Sequence, residues 1–284
     1  MSLTDIDYAA RAHNAGLNVY FAAEGDRDGN IRSQTVNPAN PCCNCYSIAK
    51  AFTVTAVGML YDRGLMRPGD IAVDFIPELC PVGMDDNWRK VTIEMLMLHT
   101  AGFGRGLLDI DADDASAYPT HDYLSIVLSE PLPFTPGTHN QYTDAAYYLL
   151  SRVIGRVAGM DLAQFLHPVL TEVLNFKEYA WSVCPQGYAM GATGLYLRTE
   201  DMVKLGIVYL RGGEWQGQRI VSEDWVNTVI SRGYEFKDRG DGWYGKGGMR
   251  GQMLTFNPAL GLAVAWHGYE RRSAFDAMIR GWQA

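Results

Sequence analysis

The sequence predicts an α/β fold of the α+β type, in which one antiparallel sheet built from both termini is flanked by helices. Strand-like segments lie near the N-terminus, at 17–23 and 29–36, and they return after about residue 242. Between about residues 65 and 180 the pattern is helical and is interrupted by loops that contain proline. Strands at both ends with helices between them favour a single sheet with a mainly helical insertion.

Composition restricts the class of protein further. The chain has 284 residues, of which 48% are hydrophobic and 20% are charged, as in ordinary globular proteins. A chain of this length can bury enough surface to fold without disulfides or metal. The net charge of -8 gives it no electrostatic means of holding a phosphate backbone, so we expect no nucleic-acid partner.

The N-terminal sequence and the number of cysteines indicate the cellular compartment of the protein. The first residues carry no basic start and no apolar segment of the kind found in secretory signals, and no apolar run reaches about 18 residues. We therefore expect a cytoplasmic protein with no membrane span, unless a native leader is missing from this sequence. Five cysteines are present, which favours reduced thiols over a disulfide framework. A zinc site is the less favoured alternative, and we expect neither a metal nor a cofactor; the residues concerned are Cys42, Cys43, Cys45, Cys80 and Cys184.

Individual elements follow from periodicity and capping residues. A long helix is expected from Ser47 to about Arg63, just before Gly64, and another after Thr199, which we take as its N-cap. The helix after Thr199 is expected to span 200–210. Further helices are expected at 92–98, 123–128, 145–157 and 162–174, with an amphipathic stretch after Ser273, and strands at 243–246, 253–256 and 260–266.

The helix that begins near Ser47 is the most informative element. Between Lys50 and Asp62 it carries no charge and is apolar on all faces, which is typical of a buried helix. Ser47 and Lys50 are three residues apart, so their Cβ atoms should lie about 5–6 Å from each other on one face. A serine at the positive end of a helix dipole, beside a desolvated lysine, is an arrangement of a nucleophile and its base.

A structural role for both residues stays open at this point. Ser47 can act simply as an N-cap, and Lys50 can extend its ammonium group to solvent along the helix surface.

Two later segments carry further candidates. Tyr142 precedes a predicted helix whose N-cap we take to be Asp144, and a tyrosine beside cations can transfer protons. A packed aromatic side chain is the alternative.

Lys246-Gly247-Gly248-Met249 ends an aromatic strand, where two glycines let a ligand approach the backbone and a freed N–H can bind an oxyanion. A hairpin turn with a solvated lysine is the alternative here.

These three segments, in this order, resemble the serine β-lactamase and penicillin-binding protein superfamily, and most closely class C β-lactamases and the related esterases and D-amino-acid peptidases. The resemblance covers nearly the whole chain. It is carried by the segments 46–50 (YSIAK), 96–102 (LMLHTAG), 136–144 (PGTHNQYTD), 194–205 (GLYLRTEDMVKL) and 246–258 (KGGMRGQMLTFNP).

The resemblance implies a β-lactamase/transpeptidase-like fold with the active site in a cleft. It implies one domain over residues 1–284, with an α/β part at about 1–62 and 181–284 and a helical part at about 63–180.

The resemblance also assigns catalytic roles. Ser47 would be the acylated nucleophile, Lys50 and Tyr142 would share the role of general base, and Tyr142 would pass the proton to the leaving group. Lys246 would keep Tyr142 acidic and bind an anionic substrate group. The backbone N–H groups of Ser47 and Met249, beside Gly247 and Gly248, would form the oxyanion hole.

Two residues depart from the family pattern. Asp144 stands where class C β-lactamases have asparagine, and a carboxylate near Lys50 would stabilise its ammonium form and weaken it as a base. Gly247 stands where many relatives have a threonine whose hydroxyl would bind the substrate carboxylate. Both changes argue against efficient β-lactam hydrolysis, whereas the presence of Lys246 is compatible with an anionic substrate.

The leading hypothesis is therefore a serine hydrolase that cleaves an ester, a D-amino-acid peptide or a β-lactam, a small-molecule substrate in each case. The alternative is a non-catalytic ligand-binding or sensing module on the same fold. No Gly-x-Ser-x-Gly or His-Glu-x-x-His motif is present, and we interpret His99 and His139 as structural or loop residues. The oligomeric state is left open.

Overall fold

The computed structural model describes residues 6–270 and 274–280, and these residues fall into two units. Unit 1 consists of the described residues within 1–48, 170–180 and 195–284, and unit 2 consists of 49–169 and 181–194. The α-helices are α1 Tyr8–Asn14, α2 Ala49–Asp62, α3 Ile93–Met97, α4 Tyr123–Ser129, α5 Asp144–Ala158, α6 Leu162–Leu166, α7 Thr199–Leu210, α8 Glu223–Arg232 and α9 Phe275–Met278.

The strands come mainly from the two ends of the chain, as the sequence predicts. They are β1 Val19–Asp26, β2 Ile31–Thr35, β3 Cys43–Asn44, β4 Tyr179–Trp181, β5 Leu195–Leu197, β6 Glu214–Trp215, β7 Gln218–Arg219, β8 Lys237–Gly240, β9 Trp243–Gly247, β10 Met253–Asn257 and β11 Leu262–Gly268.

Unit 1 is built on a six-stranded sheet in the order β2-β1-β11-β10-β9-β8, with every neighbouring pair antiparallel. The central pair joins the two ends of the chain, because β1 is hydrogen-bonded to β11 with Ala23 opposite Ala265. This confirms the predicted antiparallel sheet from both termini.

Helices cover both faces of this sheet. On one face α7 packs against β1, β10 and β11, where small residues permit close approach and a Cβ on Gly206 would lie 3.0 Å from that of Ala263. On the other face α1 and α9 pack around buried aromatic residues that include Tyr8, Trp243 and Trp266. Burial of large aromatic side chains of this kind is a major source of the stability of unit 1.

Unit 2 is helical and is centred on α5, which contacts α2, α3, α4 and α6. The helix α2 is buried from Ala49 to Leu60, as its apolar sequence predicts. Residues 49–62 were expected in the α/β part with the sheet, whereas in the structure they belong to unit 2. None of the described helices is both long enough and apolar enough to cross a bilayer.

Some predicted details are wrong. The α-helical part of α2 begins at Ala49, and residues Tyr46–Ile48 form a short 3-10 helix before it. The helix predicted at 162–174 ends at Leu166 and continues as a π-helical turn, since Pro168 cannot donate a backbone hydrogen bond. Arg198 rather than Thr199 occupies the N-cap position of α7, and no side chain caps it.

Some helices and strands were not predicted from the sequence, and one predicted element starts outside the described residues. The helices α1 and α8 and the edge strand β8 are additional elements. Ser273, after which an amphipathic stretch was expected, lies outside the described residues, although α9 follows it closely.

The central position of α5 makes a prediction about stability. Leu150 is fully buried, so Leu150→Ala should lower the free energy of unfolding by about 2–5 kcal/mol through lost burial and the cavity that remains. Leu65→Ala is the control, since Leu65 is 51% exposed and should change stability by less than about 0.5 kcal/mol. Urea denaturation measures both, and equal losses would contradict the assignment of α5 as the core of unit 2.

Candidate active site

Ser47 lies in the 3-10 helix of unit 1, directly after a strained residue. Tyr46 has φ = 49°, in the left-handed region that residues other than glycine rarely adopt. The Asn44 side chain accepts a hydrogen bond from the Tyr46 backbone N–H at 2.8 Å, which helps to hold this turn. Backbone strain of this kind tends to occur at functional sites, where the surrounding structure maintains it.

The end of β9 lies beside the segment that carries Ser47, within unit 1. A Cβ on Gly248 would lie 2.7 Å from the carbonyl oxygen of Cys45, so only glycine fits at this point. The Met249 N–H has no acceptor among the described residues, and its side chain is 42% exposed. The local geometry is therefore compatible with a backbone N–H that binds an oxyanion.

Lys246 is buried and forms an ion pair with the carboxylate of Glu235. This excludes the alternative of a solvated lysine in a hairpin turn. Glu235 is itself 2% exposed and has φ = 61°, so a strained backbone holds this carboxylate in place. The sequence analysis did not identify Glu235, which precedes β8 and matches no motif.

Lys50 is fully buried in the first turn of α2, as predicted, so its ammonium group does not extend to solvent. Its Nζ donates to Asp144 Oδ1 at 2.7 Å and to the carbonyl oxygen of Ala192 at 2.9 Å. A buried charge needs partners of this kind to offset its loss of hydration.

Tyr142 lies close to Lys50 in unit 2, because the Lys50 Nζ is 4.8 Å from the centre of its ring. The ring also packs against His99, with 4.3 Å between the two ring centres. His99 has φ = 58°, and its Nδ1 accepts a hydrogen bond from the Thr143 backbone N–H at 3.4 Å. His99 thus helps to position the loop that presents Tyr142, in agreement with the structural role expected of it.

Asp144 was predicted to be the N-cap of α5, and this prediction is wrong. Thr143 takes that position, and its hydroxyl accepts a hydrogen bond from the Ala145 N–H. Asp144 is the first residue of the helix, where a carboxylate interacts favourably with the helix dipole, and its side chain is bound to Lys50 instead.

Two further carboxylates lie next to Asp144 in unit 2, and the sequence analysis missed both. Oxygen atoms of Asp109, Asp111 and Asp144 lie within 4.8 Å of one another, and Asp111 accepts a hydrogen bond from the Thr193 hydroxyl. Burial first, and then the charges of Asp144 and Asp111, raise the pKa of Asp109. The cluster therefore disfavours the charged form of Asp109 beside the Lys50–Asp144 pair.

These three residues are the group in the described part of the chain whose geometry suits a metal ion. The Lys50 ammonium already provides a cation for Asp144. Cys42, Cys43 and Cys45 do not form such a group among the described residues, and burial raises the pKa of the Cys43 thiol to about 11.

The structure therefore groups the predicted site residues within each unit. Lys50, Tyr142 and Asp144 lie together in unit 2. In unit 1 the segment of Ser47 lies beside β9, which carries Lys246 and Gly247 and leads to Gly248 and Met249. The sequence has no pattern that identifies Asp109 and Asp111, because they lie in a loop without periodicity.

The raised pKa of Asp109 predicts how stability depends on pH. A carboxyl group with a higher pKa in the folded state binds more protons there, so it lowers stability as the pH rises through that pKa. Asp109→Asn should therefore be more stable than the wild type at neutral pH, and the difference should shrink as the pH falls toward about 4. Urea denaturation over this pH range measures the effect.

Asp114→Asn is the control of opposite sign. Hydrogen bonds from the Ser116 hydroxyl and backbone N–H lower the pKa of the exposed Asp114, so this variant should lose stability at neutral pH or leave it unchanged. A stabilising effect of equal size in both variants would contradict the role assigned to the cluster.

Two curated proteins show what the chain is similar to. It is 24% identical over 201 residues to the 6-aminohexanoate-dimer hydrolase of Paenarthrobacter ureafaciens, which covers 66% of this chain and 50% of that protein. It is 28% identical over 156 residues to Esterase EstB of Burkholderia gladioli, which covers 51% of this chain and 40% of that protein. The chain thus spans about half the length of the curated relatives it matches, and they are hydrolases by name.

A solved structure and a family profile agree with this similarity. The fold matches that of a penicillin binding protein from Bacillus halodurans with a TM-score of 0.70 and 15% sequence identity, covering 96% of this chain and 98% of the other. The sequence profile described as Beta-lactamase matches residues 13–268, which is most of the chain. The chain therefore belongs to the Beta-lactamase family.

Proposed function

We propose that this protein is a serine hydrolase that cleaves an ester or an amide through an acyl-enzyme on Ser47. The observation that carries the proposal is the fully buried Lys50, whose ammonium group lies 4.8 Å from the ring of Tyr142 and is bound to Asp144. The proposed mechanism requires the Tyr142 oxygen to accept a proton, and a buried cation beside the ring can stabilise the negative charge that this role needs. Membership of the Beta-lactamase family, and relatives named as an esterase and a 6-aminohexanoate-dimer hydrolase, support the same chemistry.

In the proposed first step the Ser47 Oγ forms a bond with the carbonyl carbon of the substrate. The hydroxyl proton passes to the Tyr142 oxygen, with Lys50 stabilising the negative charge on the phenol before the transfer. The N–H groups of Ser47 and Met249 bind the oxyanion that forms. The bond from the carbonyl carbon to the leaving group then breaks, and the leaving group takes the proton from Tyr142.

In the second step water attacks the acyl-enzyme. The Tyr142 oxygen accepts a proton from this water, whose oxygen forms a bond with the carbonyl carbon. The bond from that carbon to Ser47 Oγ then breaks, and the proton passes from Tyr142 to Ser47 Oγ. The products are the free acid and the regenerated enzyme. In this scheme Lys50 stays an ammonium throughout, because two acceptors, Asp144 and the Ala192 carbonyl, hold its N–H groups.

The nucleophile can be tested by covalent labelling. A fluorescent fluorophosphonate should label the wild type, with the added mass on Ser47, and Ser47→Ala should reduce labelling at least about a hundredfold, because no other serine is placed in the proposed site. Ser125→Ala is the matched control, since Ser125 is also partly exposed and its hydroxyl donates only to the Asp122 carbonyl in α4. That variant should label like the wild type.

Equal labelling of the wild type and Ser47→Ala would reject the proposed nucleophile. Absence of labelling in the folded wild type would favour the alternative of a non-catalytic binding module.

The Lys50–Asp144 contact makes a second prediction. In the proposed scheme the Lys50 ammonium stabilises negative charge on Tyr142, and the carboxylate of Asp144 partly offsets that positive charge. Asp144→Asn removes the offsetting charge, so acylation at neutral pH should be faster by about threefold to tenfold. The burst of p-nitrophenol from p-nitrophenyl acetate in stopped flow measures this rate.

Asp161→Asn provides a matched control, since Asp161 also lies at a helix start but binds the N–H groups of Ala163 and Ala189. Its burst should equal that of the wild type. A slower burst in Asp144→Asn, with the control unchanged, would show that Asp144 assists acylation rather than restraining it.

A further inference from the structure

The corner of unit 1 around β8 and β9 contains an arginine that the proposed mechanism does not use. In this hairpin Asp238 lies opposite Tyr244 and Gly240 lies opposite Trp243, so Arg239 is the extra residue of a β-bulge. Bulges are frequent next to active sites because they redirect one side chain without breaking the sheet. The Arg239 side chain is therefore set apart from the alternation of its strand.

The Arg239 guanidinium reaches the end of β9. Its Nε donates to the Gly245 carbonyl at 3.3 Å, and one terminal nitrogen lies 3.9 Å from the point where a Cβ on Gly247 would stand. Pairing with β8 covers β9 only from Trp243 to Gly245. The guanidinium thus lies beside the part of the β9 edge that β8 leaves unpaired, next to the position that lacks a side chain.

The nearby charges leave Arg239 available to a ligand, whereas two neighbouring lysines are already engaged. Lys246 is already bound to the buried carboxylate of Glu235. Lys237 is near both of them, and its ammonium donates to the Gly233 carbonyl at 2.6 Å. Among the described residues Arg239 has no carboxylate partner.

A partly buried guanidinium without an anion is unfavourable, and burial accordingly lowers the pKa of Arg239. A bound anion would remove this penalty. The planar fork of a guanidinium matches the two oxygens of a carboxylate, which makes arginine well suited to recognise that group.

We propose that Arg239 receives a carboxylate of the substrate beside Gly247, in place of the threonine hydroxyl that this position lacks. The inference rests on the proposed function, and it narrows the substrate class to esters or amides that carry a carboxylate near the scissile bond. Lys246, with its charge offset by Glu235, serves the chemical step, and Arg239 determines specificity.

Equilibrium binding tests this proposal without requiring turnover. The probes are 3-hydroxybenzoate and 3-hydroxybenzamide, which have similar shapes and differ in charge, and calorimetry on the full chain measures their Kd values. The wild type should bind the benzoate at least about tenfold more tightly than the benzamide, as one good charge-assisted contact allows. Absence of this preference, or of benzoate binding at millimolar concentration, would overturn the proposal.

Three variants assign the preference to a residue. Arg239→Gln should bring the two Kd values within about twofold of each other, while its Tm stays equal to or above that of the wild type. Arg239→Lys should keep only part of the preference, because an ammonium lacks the fork. Lys237→Gln is the matched control on the same strand and should keep the full preference.

Persistence of the preference in Arg239→Gln, or an equal loss in Lys237→Gln, would overturn the assignment to Arg239. The hydrolase proposal is measured separately, by turnover of 3-acetoxybenzoate and 3-acetoxybenzamide. Charge-selective binding that depends on Arg239 without any turnover would support the carboxylate site and contradict the hydrolase. Turnover without charge selectivity would support the hydrolase and contradict the carboxylate site.

Discussion

The ion pair between Lys50 and Asp144 is the interaction on which the candidate site depends. It joins the first turn of α2 to the first turn of α5, the two helices at the centre of unit 2, and both side chains are buried. Removal of charges from water is costly, and a well-packed apolar pair at such a place is often more stable. A polar contact at the centre of a helical core is therefore better explained by chemistry than by stability.

A lysine of unit 1 shows the same arrangement within its own unit. Lys246 is paired with Glu235, whose backbone is held in a left-handed conformation. Each lysine thus has a carboxylate that fixes its ammonium group, and neither has the freedom of a surface side chain. Fixed charges of this kind need no reorganisation when charge develops during a reaction, which is the main way in which enzymes stabilise transition states.

The parts of the fold that the sequence predicts are those with strong local signals. The apolar surface of α2 predicts a buried helix, and the structure confirms it. The spacing of Ser47 and Lys50 predicts a nucleophile beside an amine, and this stays a prediction. The choice between Thr143 and Asp144 as N-cap was wrong because both residue types cap helices well, and only the contact with Lys50 decides between them.

Other features depend on contacts between distant segments, and no local sequence pattern predicts them. Asp109 and Asp111 lie in a loop, and their proximity to Asp144 is set by the folding of unit 2. The same is true of Glu235, which is brought to Lys246 by the turn between α8 and β8. The position of Arg239 follows from the register of a hairpin, which a single shift of pairing would change.

The bulge in the hairpin has a consequence for how such a protein can evolve. The turn after it contains Gly240, Asp241 and Gly242, all with positive φ, and it lies at the edge of the sheet. Insertion or deletion of one residue there would bring a different side chain to the end of β9 while the proposed nucleophile and bases stay unaltered. Under the proposed function, ligand preference can thus diversify among descendants through small length changes in one peripheral loop, independently of the proposed catalytic residues.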